Sequence, residues 1–178
     1  MSEHANQQLQ HREHQRLPMK FPLVVLLDDF TVPMNVGSIF RLCDALGVEK
    51  LFLTGTTPVP PNRKIAKTSR STHEYVSYEY HANPLDVVTS LKHSGYTILG
   101  LESTTTSVDL RALNYAALNP ICLVVGSEVC GVKRALLDCC DYTVHIPMLG
   151  NNSSLNVATA CAIALFEITR NVIKSSDA

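Results

Sequence analysis

Two hydrophobic periods alternate along the chain. Residues 23–27 (Leu-Val-Val-Leu-Leu) form an unbroken apolar run, the pattern of a strand buried on both faces. Residues 28–35 read as a loop. From 36 to 46 the apolar positions Ile39, Phe40, Leu42, Cys43 and Leu46 fall at helical spacing, and Gly47 ends the helix. Residues 50–54 read as the next strand, and 55–61 as a Pro/Thr-rich turn. A short helix is predicted at 62–69 and an edge-like strand at 75–80. Asn83 as cap and Pro84 in the first turn open a helix running to about His93, which Gly95 ends. Further strands are predicted at 96–101, 121–125 and 142–146, and a helix from 132 to about 139. The last helix runs from 155 to about 173. This alternation predicts an α/β fold, a mostly parallel sheet with helices on both faces. The domain reading is a polar tail at 1–20 followed by a single domain at 21–175. Residues 1–16 are His- and Gln-rich without apolar periodicity, and are expected to be mobile or a short surface helix. His11 and His14 stand three apart, as metal ligands can, but no second ligand pair lies nearby.

The final helix changes this picture, because it is apolar almost all round. One face can meet the sheet, so the opposite face needs another cover, and a homodimer interface is the economical expectation against burial within one chain. Its apolar run from Val157 to Phe166 is broken by Thr159 and falls short of the ~18–20 residues of a membrane span. The first residues carry charges and glutamines where a signal peptide is apolar. The expectation is a soluble, cytoplasmic protein with no membrane association. The six cysteines include no C-x-x-C pair, which favours reduced thiols over disulfides or zinc. The net charge of −1 gives no support for nucleic-acid binding, and its distribution is more informative: Arg63, Lys64, Lys67 and Arg70 fall in a stretch without acids, and Arg12, Arg16 and Lys20 lie in the tail. Such a patch can track phosphates or be a solvated loop.

Three segments carry turn chemistry at strand ends or helix starts. In the first, Gly126 to Gly131, the spacing suggests a P-loop, but Val132 stands where the lysine belongs and Glu128 would place negative charge in a phosphate cradle. No G-x-G-x-x-G follows any strand, so a dinucleotide fingerprint is also missing. The second joins Asn35, Gly37 and Arg41. Gly37 inside a first helical turn is costly unless something approaches the backbone closely. Arg41, almost two turns after Asn35, can bind phosphate bidentately or be a surface residue beside Asp44. In the third, Pro147 stops a strand, Gly150, Asn151 and Asn152 turn the chain, and Ser153 or Ser154 caps the helix.

In this order and spacing the three segments resemble the motifs of the SpoU (TrmH-like) family of RNA 2′-O-ribose methyltransferases, within the SPOUT superfamily, over about residues 23–173. N-x-G-x-x-x-R matches Asn35, Gly37 and Arg41. G-x-E-x-x-G matches Gly126, Glu128 and Gly131. I-P-M-x-G and S-L-N-V-x-x-A match Ile146, Pro147, Met148 and Gly150, then Ser154, Leu155, Asn156, Val157 and Ala158. The resemblance implies a C-terminal deep trefoil knot, S-adenosyl-L-methionine bound within it, and an obligate homodimer. It implies cofactor contacts from Leu101, Glu102, Gly126, Gly131, Ile146, Met148 and Leu155. It gives Arg41 the target phosphate and help in deprotonating the 2′-oxygen, with Asn35, Glu128, Ser154 and Asn156 positioning Arg41 and the ribose. Asn35 and Arg41 would approach the cofactor across the dimer interface. No metal is needed, because a sulfonium is already an activated donor. RNA contacts are expected from Arg63, Lys64, Lys67 and Arg70. The family often carries a Ser/Ala-Gly-Ala segment after that basic stretch, whereas residues 68–74 here read Thr-Ser-Arg-Ser-Thr-His-Glu. Without a separate RNA-binding domain in the sequence, a compact dimer favours tRNA over rRNA as substrate. The alternatives are the same chemistry on rRNA, a knotted dimer that binds RNA without catalysis, and a small-molecule methyltransferase.

Overall fold

In a computed structural model of the chain, the described residues are Glu13 and 21–176, with side chains described as far as Asn171. Apart from Glu13, the expected tail with its histidines and cations lies outside them. The chain runs β1 (Phe21–Asp28), α1 (Pro33–Ala45), β2 (Val48–Thr54), α2 (Arg63–Ser69), β3 (Tyr78–His81), α3 (Pro84–His93) and β4 (Thr97–Leu101). It continues through β5 (Val108–Asp109), β6 (Ile121–Val125), α4 (Arg134–Leu137), β7 (Tyr142–His145) and α5 (Val157–Ser176). Seven strands make one sheet in the order β3-β2-β1-β6-β4-β7-β5, and every pair is parallel.

Both faces of the sheet are covered, which is why residues 23–27 are apolar without interruption. Val24 and Leu26 turn to one side, where Phe52, Ile98, Cys122 and Val124 meet Val87, Val88 and Leu91 of α3 and Leu136 of α4. Leu23, Val25 and Leu27 turn to the other, against Val36, Ile39, Phe40 and Cys43 of α1 and Cys161, Ala164, Leu165 and Ile168 of α5. Burying side chains of this size stabilises the fold by roughly 1.5–3 kcal/mol each.

The differences from the expected elements have local causes. Tyr75 and Val76 both donate their N–H to the Thr72 carbonyl in a 3-10 turn over Thr72–Glu74, so the edge strand starts only at Tyr78. The helix expected at 132–139 is confined to Arg134–Leu137, because Lys133 before it is extended and Cys139 and Cys140 close tighter bonds to Leu136 and Leu137. β5 pairs with β7 through two residues, too few to show a period. Neither Ser153 nor Ser154 caps α5. Asn156 does, its Oδ1 accepting from Ala158 N–H at 3.0 Å and Thr159 N–H at 3.2 Å.

On α5, Ile163 and Phe166 remain 40% and 59% exposed. With Leu110, Arg111, Ala162 and Glu167 they line a shallow groove on the side away from the sheet. Among the described residues no helix is long and apolar enough to cross a membrane. The six cysteines are free thiols, and burial pushes Cys43, Cys122 and Cys161 far above the ordinary thiol range, Cys161 to about 12.

Candidate active site

The carboxyl ends of β4, β6 and β7 and the start of α5 enclose a cavity of about 460 Å3, on the side of the sheet where open α/β folds take their ligands. Leu101 and Glu102 come from the end of β4, Gly126, Glu128 and Gly131 from the loop after β6, and Ile146 and Met148 from the segment after β7. Ser154, Leu155 and Asn156 complete the wall before α5. All seven expected cofactor residues therefore share one cavity with three of the expected catalytic residues. Ser103, Ser127 and His145 line it too, without having been singled out in the sequence. His145 is held by Ser107, with 3.0 Å between Nδ1 and Oγ.

At the mouth, Glu128 does something the sequence did not suggest. α1 begins after Val32, which has no side chain able to cap the helix. The missing acceptor comes from the distant loop. One oxygen of Glu128 accepts from Thr31 N–H at 2.9 Å and Thr31 Oγ1–H at 3.0 Å; the other accepts from Val32 N–H at 3.3 Å and Asn35 Nδ2–H at 2.7 Å. A carboxylate here also meets the positive end of the helix dipole. Burial opposes the charge, but the bonds from Thr31 and Asn35 outweigh it and hold the carboxyl below its ordinary value. With its oxygens so engaged, Glu128 is an anchor for the start of α1, and its bonds go to residues 31–35 rather than to Arg41. It orients Asn35, whose Oδ1 accepts from Asn156 Nδ2–H at 3.3 Å. Asn35, Glu128 and Asn156 thus meet within a single chain. Nothing in the sequence marks Thr31, because its partner lies 97 residues away.

Glu102 secures the other side of the same loop. Its carboxylate accepts from Val132 N–H and Ser103 N–H, both at 2.9 Å. Gly131 adopts φ +64°, and any Cβ there would strike the Glu102 carboxylate. The glycine is needed for both conformation and space. Just beyond, Lys133 bridges Asp28 and Asp29 at the end of β1. Lys133 and the backbone N–H of Thr56 lower the Asp29 carboxyl below its ordinary range. The lysine that failed the P-loop test is therefore an internal tie between β1 and the cavity loop.

Arg41 is not part of the cavity wall of its own chain. It is exposed on α1, one turn beyond Gly37 on the same stripe of the helix. Gly37 answers the question its position raised. A Cβ there would collide with the Ile65 carbonyl and the Thr68 hydroxyl, so α2 lies directly on the α1 backbone. Thr68 Oγ1–H also donates to the Met34 carbonyl at 2.9 Å. Arg63, Lys64, Lys67 and Arg70 are all exposed on or just after α2, away from the cavity. Among the described residues no cluster of three His, Cys, Asp or Glu side chains could hold a metal.

Comparison with known proteins gives the family of the chain. The model of the SpoU rRNA methylase family matches residues 22–166. A protein assigned to the TrmH family of tRNA/rRNA methyltransferases in Staphylococcus saprophyticus is 32% identical over 156 residues, 88% of this chain and 61% of its own length. The crystal structure of the SpoU methyltransferase AviRb from Streptomyces viridochromogenes in complex with AdoMet superposes with a TM-score of 0.78 at 31% identity, covering 88% of this chain and 63% of AviRb. The TrmH/SpoU tRNA modifying enzyme of A. aeolicus does so with a TM-score of 0.80 at 29% identity, covering 88% and 78%. The chain belongs to the SpoU methylase family, and it spans about three fifths of the length of the curated relatives it matches.

Proposed function

We propose that this chain is an S-adenosylmethionine-dependent RNA methyltransferase that modifies a ribose 2′-hydroxyl, with tRNA as its substrate, acting as a homodimer. The observation that carries the reading is the single cavity shared by Leu101, Glu102, Gly126, Gly131, Ile146, Met148 and Leu155, with the Glu128–Asn35–Asn156 cluster at its mouth. The cavity suits the cofactor. Its volume is that of a cofactor pocket. Leu101, Val125, Ile146 and Leu155 offer an apolar slot for adenine, beside the backbone groups of three loops. The carboxylates of Glu102 and Glu128 favour a ligand bearing positive charge. Once bound, the sulfonium supplies an electrophilic methyl group.

The protein's part is placement. Ser154 and Asn156 hold the ribose at the mouth, and Asn35, fixed by Glu128, sets Asn156. Arg41 grips the adjoining phosphate and favours loss of the 2′-hydroxyl proton through it. Bringing the two reactants together supplies much of the acceleration. Arg41 lies outside its own chain's cavity, which supports its service to the cavity of a second copy. The exposed Ile163 and Phe166 support α5 as the surface where copies meet. A C-terminal deep trefoil knot belongs to the same reading, supported by the closure of three separate loops on one cavity.

Arg41→Ala tests the assignment. Transfer of labelled methyl to unmodified tRNA is expected to fall at least about a thousandfold, a loss of some 4 kcal/mol of transition-state stabilisation. Cofactor affinity by calorimetry should stay within about twofold. Loss of cofactor affinity in step with activity, or transfer that persists, overturns the role of Arg41. Transfer confined to rRNA replaces tRNA as the substrate.

A further inference from the structure

The described cations divide into two groups. Lys50, Lys92, Arg111, Lys133, Arg134 and Arg170 each sit in an ion pair. Arg41, Arg63, Lys64, Lys67 and Arg70 are exposed, and none pairs with a described acid. All five lie on α1, on α2 or at the residue that ends α2. Asp44 and Glu74, the acids on these elements and the adjoining turn, form no ion pair with them. Unneutralised positive charge confined to two touching helices is the footprint of an anionic partner.

Arg63, Lys67 and Arg70 follow one another at spacings of four and three, one stripe along α2. α2 rests on Gly37, and Arg41 emerges one turn farther along the same side of α1. At the end of α2 the chain turns through two left-handed residues, Arg70 at φ 53° and Ser71 at φ 69°. His73, just after the turn, packs edge-on against Phe40, the neighbour of Arg41, with ring centres 6.4 Å apart. The chain leaving α2 is thereby held against α1. α2 is about 10 Å long, a span on the order of three phosphates of one strand.

We propose that α1 and α2 form a phosphate track for a single-stranded RNA segment, with Arg41 at the end where the methylated ribose sits and Arg63, Lys64, Lys67 and Arg70 holding the flanking nucleotides. This rests on the methyltransferase reading and adds to it the form in which the substrate is held. One stripe meets one backbone. A duplex would present a second phosphate strand, and the remaining described cations are already committed to acids.

The test uses the full chain and fluorescence anisotropy with a short single-stranded RNA and its perfect duplex, over a range of salt. The combined variant Arg63→Gln, Lys64→Gln, Lys67→Gln, Arg70→Gln is expected to bind the single strand at least about tenfold more weakly. Its log–log salt slope should be shallower by about 0.7 for each phosphate that the variant no longer neutralises. The control Lys92→Gln, Arg134→Gln should stay within about twofold, and cofactor affinity and melting temperature should be unchanged in both. Parent-like binding by the quadruple variant, equal weakening in the control, or tighter binding of the duplex overturns the track. A parent that binds cofactor and methylates RNA while the quadruple variant retains full RNA affinity overturns the track alone. A parent that binds neither cofactor nor RNA overturns the methyltransferase reading with it.

Discussion

Replacing Glu128 with glutamine keeps the shape of the side chain and removes only its charge and half of its accepting capacity. The carboxylate accepts four hydrogen bonds, two on each oxygen. The amide oxygen can keep one pair. If it keeps Thr31, the amide nitrogen faces Val32 N–H and Asn35 Nδ2–H; if it keeps the latter pair, it faces the N–H of Thr31. Either way a backbone donor at the start of α1 meets another donor. A bond to a charged acceptor contributes about 1.5–3 kcal/mol, and an unsatisfied donor costs about 1–3 kcal/mol when buried. The site is only partly buried, so water relieves some of this, and the net loss should be about 1–2 kcal/mol. Urea unfolding of Glu128→Gln at neutral pH measures it, with an unchanged slope. The pH dependence has a fixed sign. The folded carboxyl titrates below its ordinary value of 4.5, so its contribution is complete above that value. It is lost as pH falls through the lower folded value, and the gap between parent and variant should close there. A variant within about 0.3 kcal/mol of the parent at neutral pH would refute the claim that this carboxylate anchors α1.

Two further substitutions probe the same neighbourhood. Gly37→Ala gains about 1 kcal/mol of helix propensity, but its Cβ collides with Ile65 and Thr68, and overpacking of this kind costs about 1–3 kcal/mol. With the Thr68–Met34 bond also disturbed, the expected result in urea unfolding is a net loss of about 1–2 kcal/mol, and a gain would show that α2 is not seated on α1. Ser71→Gly relieves a left-handed residue, worth about 1–2 kcal/mol, against about 0.5–1 kcal/mol of added freedom in the unfolded chain. A rise in stability of about 0.5–1 kcal/mol is expected in the same assay, and destabilisation would contradict the strain argument.

The sheet was legible because burial on both faces leaves a mark that no local context can hide: residues 23–27 and 121–125 are apolar throughout, and both are central strands. The cavity residues could be named because three segments of turn chemistry, glycine at 131 and proline at 147 among their residues, resemble the motifs of the SpoU family; the turns alone did not single them out. What could not be read is what long-range contact decides. Asn156, rather than either serine, caps α5, because its side-chain oxygen reaches forward to the N–H groups of the first turn while its amide nitrogen meets Asn35. Glu128 looked like a charge aimed into a ligand loop, and its destination at the start of another helix is set by folding across more than 90 residues. The departure at 68–74 from the small-residue pattern is accommodated with φ positive at Arg70 and Ser71, a backbone need that glycine would meet without strain.

α1 borrows its first acceptor from the wall of the cavity. A ligand that draws that wall inward would therefore tug directly on the helix bearing Arg41, with no hinge between. Occupancy at one end and readiness at the other become a single mechanical variable, transmitted through one carboxylate.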